Sequence, residues 1–164
     1  SPWTIDWHPT ENRLLIGGEF NGIYEYNMDT GELSFPLTLP SPAIHVLYAV
    51  QGTTVVSAHA DGTIRVSNLK TGEQQSQSAH KCPVLCMALC NSSSIVLSVD
   101  EENNVALWRF PTLEKIGRLI PGQSHMHHDI TVRPKIGLSA DSSRLLLIHN
   151  NDRQPELRLW KLNN

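Results

Sequence analysis

The fold is decided by the stretch TVVSAHADGTIRVSN, residues 54–68. In its second half, apolar side chains such as Ile64 and Val66 alternate with polar ones, and this period of two is typical of a β-strand rather than a helix. Asp61-Gly62 separates the two halves, and both residue types tolerate the positive φ angles that a tight hairpin turn requires. Residues 54–68 therefore predict two antiparallel strands joined by a tight turn.

The hairpin is part of a longer repeating unit. Turns at Gln51-Gly52 and Thr71-Gly72 extend it to four strands, predicted at about 43–50, 54–59, 63–69 and 73–78. Alternating apolar triplets mark successive units at intervals of 41 residues: Trp3, Ile5 and Trp7; Ile44, Val46 and Tyr48; Leu85, Met87 and Leu89. A looser fourth unit has apolar residues at 136, 138, 146, 147, 157 and 159.

Four antiparallel strands in each unit, repeated in tandem, are typical of β-propeller blades. We therefore predict an all-β fold with four blades, at about 1–41, 42–80, 81–122 and 123–164. No segment has the periodicity of a helix.

Composition supports a globular, intracellular domain. The 164 residues are 40% hydrophobic and 18% charged, with a net charge of −3, which is the range of an ordinary folded domain. No apolar run approaches the ~18 residues that a membrane span requires. Three cysteines do not form the even set of a disulfide-stapled secreted module, so we expect a reducing compartment, the cytoplasm or the nucleus.

Motifs within the units resemble those of the WD-repeat family. Residues 61–68 resemble the end of a WD repeat, with Ser67-Asn68 where the family has its Trp-Asp pair. Further motifs of the family are matched at Ala79-His80, Trp108, Trp160 and residues 7–12. The resemblance covers the whole chain and implies a WD-repeat β-propeller.

The resemblance also implies a buried polar network inside each blade, in which a His, a Ser or Thr, an acidic residue and a Trp satisfy one another. In the third blade it assigns this structural role to His80, Ser98, Glu102 and Trp108. In the second blade it assigns the role to Ser57 and Asp61, without a Trp. The first and fourth blades lack most members of the network.

The number of blades is small for a closed ring of this family, which usually has seven. The fourth unit also ends after its third strand, so we predict a blade that lacks its outer strand. The expected architecture is part of a propeller that another chain or further residues complete. The alternative is a self-closed ring of four blades.

No constellation of residues predicts catalysis or a metal site. Cys82 and Cys90 would lie roughly 26 Å apart on one strand, so they cannot share an ion with Cys86. The cluster 125–129 is rich in His, but neighbouring side chains point apart in an extended segment, and we interpret it as a loop entering the fourth blade. The segment 137–141 lacks the second Gly of a nucleophile elbow. We predict a non-enzyme without a cofactor or metal.

The function that the resemblance implies is a scaffold for protein–protein interaction, a subunit of a complex that docks other protein chains on its loops. The partner-binding positions predicted from the family are Trp3, Phe20, His59, Lys81, Glu101 and His128. The alternative is an RNA- or nucleoprotein-associated subunit. Residues 109–164 contain 9 basic and 5 acidic side chains, against 4 and 11 in residues 1–108, and clustered basic residues can bind phosphates. We expect no membrane partner.

Overall fold

A computed structural model describes most of the chain. The described residues are 1–49, 51–90, 94–119, 134–139, 141, 143–151 and 154–161, of which 149–151 and 154–156 are described by their backbone alone. This part of the chain contains fifteen strands and no helix. It accordingly has no helix that could cross a membrane.

The strands form four antiparallel sheets, and each strand pairs with its neighbours in sequence. The first sheet contains β1 (Pro2–Trp7), β2 (Arg13–Gly18), β3 (Gly22–Asn27) and β4 (Glu32–Thr38). The second contains β5 (Ala43–Tyr48), β6 (Thr54–His59), β7 (Thr63–Asn68) and β8 (Gln74–Ser78). The third contains β9 (Val84–Cys90), β10 (Ile95–Asp100), β11 (Val105–Arg109) and β12 (Lys115–Leu119). The fourth contains β13 (Lys135–Leu138), β14 (Arg144–Asn151) and β15 (Gln154–Lys161).

The predicted all-β architecture is confirmed. Three sheets have four strands, and the fourth has three strands in the described part of the chain. The hairpin at Asp61-Gly62 joins β6 to β7, and Gly62 has a φ of +80°. A Cβ atom at Gly62 would also clash with the carbonyl oxygen of His80. Glycine is therefore required here both by the backbone conformation and by the approach of the next loop.

Three apolar clusters join consecutive sheets. The first cluster, between sheets one and two, contains Leu15, Ile23, Leu37, Leu39, Ala43, Val46, Tyr48 and Val55. The second, between sheets two and three, centres on Val56, Ile64, Val84, Met87, Val96 and Trp108. The third, between sheets three and four, contains Cys86, Leu97, Val99, Val105, Leu145 and Leu147. Each sheet is thus held to the next by buried side chains, as expected for stacked blades.

The innermost strands are also linked by side chains that accept hydrogen bonds from the backbone of the next blade. Each link spans 42 residues: Val46 N donates to Thr4 Oγ1 (3.3 Å), Tyr48 N to Asp6 Oδ2 (2.6 Å) and Met87 N to His45 Nδ1 (3.0 Å). These links satisfy backbone N–H groups that no sheet hydrogen bond reaches. They fix the relative height of adjacent blades.

The two end sheets each have an uncovered apolar face. On the first sheet, the cross-strand partners Trp7, Leu14, Tyr26 and Leu33 form one row that points away from the second sheet. Trp7 and Leu33 are both 56% exposed. On the fourth sheet, Leu157 and Leu159 are both 62% exposed. The first and fourth described sheets therefore do not cover each other, and the described residues form an open arc rather than a self-closed ring.

Candidate functional site

The third sheet contains a buried polar network of four side chains. Trp108 Nε1 donates a hydrogen bond to Ser98 Oγ over 2.8 Å, and His80 Nε2 lies 2.7 Å from the same hydroxyl oxygen. His80 Nδ1 lies 2.8 Å from Asp100 Oδ2. Because Ser98 has one proton to donate, these distances fit a relay in which Trp108 donates to Ser98, Ser98 to His80, and His80 to Asp100. We assign the Nδ1–H tautomer of His80 from these partners.

Asp100 links this network to the loop that follows β10. Its Oδ1 accepts hydrogen bonds from the backbone N–H groups of Glu102 (3.0 Å) and Asn104 (2.8 Å). Burial would raise the pKa of the Asp100 carboxyl, but hydrogen bonds from His80 and Asn104 outweigh burial and lower the pKa below its ordinary value. The ionised carboxylate therefore holds the loop 101–104 against the blade.

Glu102 does not occupy the network position predicted for it. It is exposed, and its side chain lies 3.4 Å from Asn104 Nδ2. Asp100 takes the position because it follows Ser98 by two residues on the same strand, which places both side chains on one face of the sheet. Glu102 lies in the loop and points to solvent.

The second sheet contains a different buried network around His59. His59 Nε2 lies 2.9 Å from Ser57 Oγ, and His59 Nδ1 lies 3.1 Å from Ser41 Oγ. Ser41 Oγ in turn donates to Asp61 Oδ2 over 2.9 Å. Burial, assisted by the charge of Arg65, lowers the pKa of His59, so the ring is neutral at physiological pH. As in the third sheet, a serine hydroxyl and a histidine connect a strand to the loops at its end.

The two networks occupy corresponding positions with different residue types. Pairs separated by 41 residues are Ser57 and Ser98, His59 and Asp100, and Ser67 and Trp108. Ser67 is 1% exposed, and among the described residues its hydroxyl has no hydrogen-bond partner. The second blade therefore keeps a buried residue at the tryptophan position but lacks the hydrogen bond that tryptophan makes.

Both networks lie at the same end of the sheets, where five loops meet. We call this end the loop face; it comprises Ser1 and residues 18–21, 39–42, 60–62, 79–83 and 101–104. Backbone hydrogen bonds join these loops in pairs: Leu39 N to Asn21 O, His80 N to Gly62 O, and Glu101 N to Pro83 O. The loop face is thus a contiguous surface fixed from beneath by buried polar groups.

Comparison with known proteins identifies the architecture. Residues 72–109, which span β8 to β11 and all four side chains of the third-sheet network, match the family model described as "WD domain, G-beta repeat". A chain in the structure titled "Crystal Structure of Mitotic Checkpoint Complex" shares the fold, with a TM-score of 0.76 at 15% sequence identity over 96% of this chain and 45% of that chain. The chain contains a WD repeat and has a propeller fold.

Curated relatives of this WD-repeat chain carry the name "DDB1- and CUL4-associated factor 13". The protein from Xenopus tropicalis is 26% identical over 123 residues, and the protein from Danio rerio is 28% identical over 123 residues. The alignments cover 72% and 71% of this chain but 28% and 27% of the relatives. The WD-repeat chain described here thus spans little more than a quarter of their length.

The positions predicted for partner binding are distributed over several environments. Phe20, Lys81 and Glu101 lie on the loop face, where Lys81 and Glu101 are exposed and Phe20 packs edge-on against Tyr24. Trp3 is 45% exposed, but it lies in β1 on the uncovered apolar face of the first sheet. The structure brings three of the predicted residues together on one surface.

Of the two remaining predicted positions, one is buried and the other is not described. His59 is completely buried in the second-sheet network, so the prediction that it contacts a partner is wrong for this conformation. The aligned residue Asp100 is buried for the same reason, because both side chains point inward from the end of a strand. His128, with the rest of the cluster 125–129, lies outside the described residues.

The cysteine series has a structural environment. Cys86 and Cys90 are buried and Cys82 is half-buried, and Cys82 and Cys86 are free thiols. Burial raises the pKa of Cys86 to about 12 and that of Cys82 to about 11, so both are protonated at neutral pH. Within the described part of the chain, no group of three or more His, Cys, Asp or Glu side chains is arranged to hold a metal ion.

Proposed function

We propose that this WD-repeat chain is a non-catalytic scaffold that docks other proteins on its loop face. The observation that carries the proposal is the attachment of the loops. The network around His80 links residues 79–83 to residues 101–104, and the network around His59 links residues 39–42 to residues 60–62. Exposed side chains such as Lys81 and Glu101 are therefore presented in a fixed arrangement. Because little entropy is lost when a rigid surface binds, such a surface favours specific docking.

The charges of the loop face favour a partner with a basic surface. Exposed carboxylates are contributed by Glu19, Asp61, Glu101 and Glu102, and the exposed amine of a side chain by Lys81. The carboxylate of Asp61 lies 3.7 Å from Arg65, a weak pairing at an exposed position. A surface of this sign attracts Lys and Arg side chains and repels phosphate groups.

The alternative function, binding of RNA by the basic last third, is less well supported by the described side chains. Arg109 Nε lies 3.1 Å from the carboxylate of Glu114. Lys115 Nζ lies 5.4 Å from the ring centroid of Trp108. Two of the cations available for phosphate contacts are thus already engaged within the chain, and we treat RNA binding as the competing outcome of the test.

The name of the curated relatives suggests the first partner to test. Those proteins are described as associated with DDB1 and CUL4, and we propose that the present chain docks DDB1 through its loop face. We also propose an intracellular location, where the thiols of Cys82 and Cys86 remain reduced.

The proposal can be tested by titrating purified DDB1 into the chain in a calorimeter. Reversal of charge at two loop-face positions, Glu101→Lys with Glu102→Lys, should weaken binding roughly tenfold or more. The matched control reverses two exposed carboxylates at the opposite end, Glu32→Lys with Glu73→Lys, and should leave binding unchanged. Loss of binding in the control alone would contradict the loop-face assignment.

A parallel titration with single-stranded RNA at increasing salt concentration separates the two functions. The scaffold proposal predicts weak RNA binding that is insensitive to the loop-face substitutions. Tight RNA binding that falls steeply with salt, together with no binding of DDB1, would establish the alternative instead.

A further inference from the structure

The outer strands of the three four-stranded sheets differ in how their free edges are protected. The edge strand β4 contains Pro36 and has a register shift against β3. The edge strand β12 carries Lys115 and Arg118 and has a register shift against β11. Proline, charge and bulges are the usual features that prevent a free edge from pairing with another strand. Two of the three edges are therefore blocked.

The third edge, β8, has none of these features. Its sequence is Gln-Gln-Ser-Gln-Ser, without charge or proline, and all five residues are exposed. It pairs with β7 in an unbroken register. The Gln74 side chain donates to Thr38 O (2.9 Å) and the Gln75 side chain to Thr112 O (2.6 Å), which attaches the strand to both neighbouring sheets. This edge is regular, neutral and held in place.

Backbone hydrogen bonds define which groups of β8 point outward. Asn68 N donates to Glu73 O, and Ala79 N donates to Gly62 O. In an antiparallel pair the residues alternate between pointing toward and away from the partner strand. The odd-numbered residues of β8 therefore pair with β7, and Gln74, Ser76 and Ser78 direct their N–H and C=O groups outward.

These three outward positions are self-complementary. If a second β8 lies antiparallel with Ser76 opposite Ser76, then Gln74 of each copy lies opposite Ser78 of the other. All three pairs are then of the hydrogen-bonded type, which gives about six backbone hydrogen bonds. Gln75 of each copy also lies opposite Gln77 of the other, where their amide side chains can hydrogen-bond, and no like charges are opposed.

We propose that β8 is a pairing edge for a second copy of this chain, which joins the second sheets of two copies into one continuous eight-stranded sheet across a two-fold axis. A second copy is favoured over an unrelated peptide because its own β8 matches this edge along the whole strand: Gln75 faces Gln77, and no charge or proline interrupts the pairing. This inference is independent of the loop face, which lies at the ends of the strands and remains accessible.

A charge-pairing experiment tests the two-fold register directly. Ser76→Lys and Ser76→Glu each place like charges opposite each other in the dimer, so each variant alone should associate roughly tenfold or more weakly than the wild type. An equal mixture of the two variants should recover association, since the introduced lysine of one copy then faces the introduced glutamate of the other. Association is measured by energy transfer between copies labelled with different fluorophores. Association through the exposed apolar end faces contributes equally to every variant.

Two controls make the outcome decisive. Ser34→Lys changes an exposed serine on the blocked edge β4 and should have no effect on association. Ser76→Pro removes an outward N–H without disturbing the bonds to β7, so it should fold normally, as shown by circular dichroism, and associate as weakly as Ser76→Lys. The proposal would be overturned if the Ser76 variants associated as strongly as the wild type, or if the mixture failed to recover association.

Discussion

The substitution Trp108→Phe tests the central element of the third blade. Trp108 is 1% exposed and donates a 2.8 Å hydrogen bond to Ser98 Oγ. Phenylalanine retains most of the apolar bulk but removes the N–H donor, which leaves a buried acceptor with one partner fewer. The lost hydrogen bond should cost about 1 to 2 kcal/mol. The smaller ring leaves a cavity that should cost about 1 kcal/mol more. We therefore expect the free energy of unfolding to fall by about 2 to 3 kcal/mol.

The assay is denaturant unfolding followed by far-ultraviolet circular dichroism. Trp7→Phe is the matched control, because Trp7 is 56% exposed and the same chemical change there should cost less than ~0.5 kcal/mol. Ser98→Ala completes a double-mutant cycle with Trp108→Phe. A coupling energy of about 1 kcal/mol between the two positions is expected if the indole and the hydroxyl are in direct contact.

Two results would refute this reasoning. If Trp108→Phe costs no more than Trp7→Phe, the indole N–H makes no net contribution in the folded state. If the cycle shows no coupling with Ser98, the loss of stability comes from packing alone. In either case the assignment of His80 to the same network would lose its support, because His80 reaches Trp108 through Ser98.

Three further predictions follow from the packing of the blades. Burial and the nearby charge of Lys135 lower the pKa of His45 from 6.5 to about 4. As the pH drops from 6.5 to 4, the unfolded chain binds a proton before the folded chain does, so the free energy of unfolding should fall by up to about 3 kcal/mol. His45→Asn should reduce this pH dependence, as measured by denaturation at several pH values. Ser67→Ala removes a buried hydroxyl without a described partner and should leave stability unchanged or raise it by up to ~1 kcal/mol in the same assay, so that a clear loss would contradict the burial of an unpaired group. The apolar rows that include Trp7 and Leu159 should make the isolated chain associate or aggregate, and a monomer with one sharp calorimetric transition would show that these faces tolerate water.

The fold was predictable from the sequence because its signals are local. The alternation around Ile64 and the turn at Asp61-Gly62 can each be recognised from a few neighbouring residues. The same pattern recurs at intervals of about 41 residues along the chain, which strengthens the prediction. In the second blade the predicted strands begin or end within two residues of the observed ones. The order of the strands within each sheet then follows from the short connections, because strands that are consecutive in sequence pair with each other.

The members of the buried networks were harder to predict, because motif matching does not consider which way a side chain points. Counting by two from Ser98 identifies Asp100 as the inward carboxylate and leaves Glu102 in the loop. The same count from Ser57 identifies His59 as buried. Ser41 could not be found in this way, since its contact with His59 depends on how a loop from the preceding connection folds over the strand end.

The loops at the two ends of the blades are stabilised in different ways. At the turn end, Asn27 Oδ1 accepts from the backbone N–H groups of Asp29 and Thr30, and the equivalent Asn68 caps Lys70 and Thr71 in the same way.

These turns are closed by their own residues, and the segments 27–32 and 68–73 share four of their six residues, Asn, Thr, Gly and Glu. At the loop face the corresponding segments 19–21, 60–62 and 101–104 differ in composition, and the third is one residue longer than the other two. The buried networks hold the segments 60–62 and 101–104, so exposed positions such as Glu101 and Glu102 are free to carry different side chains. On the proposed function, a partner that docks on the loop face can therefore distinguish one blade of this chain from its neighbour.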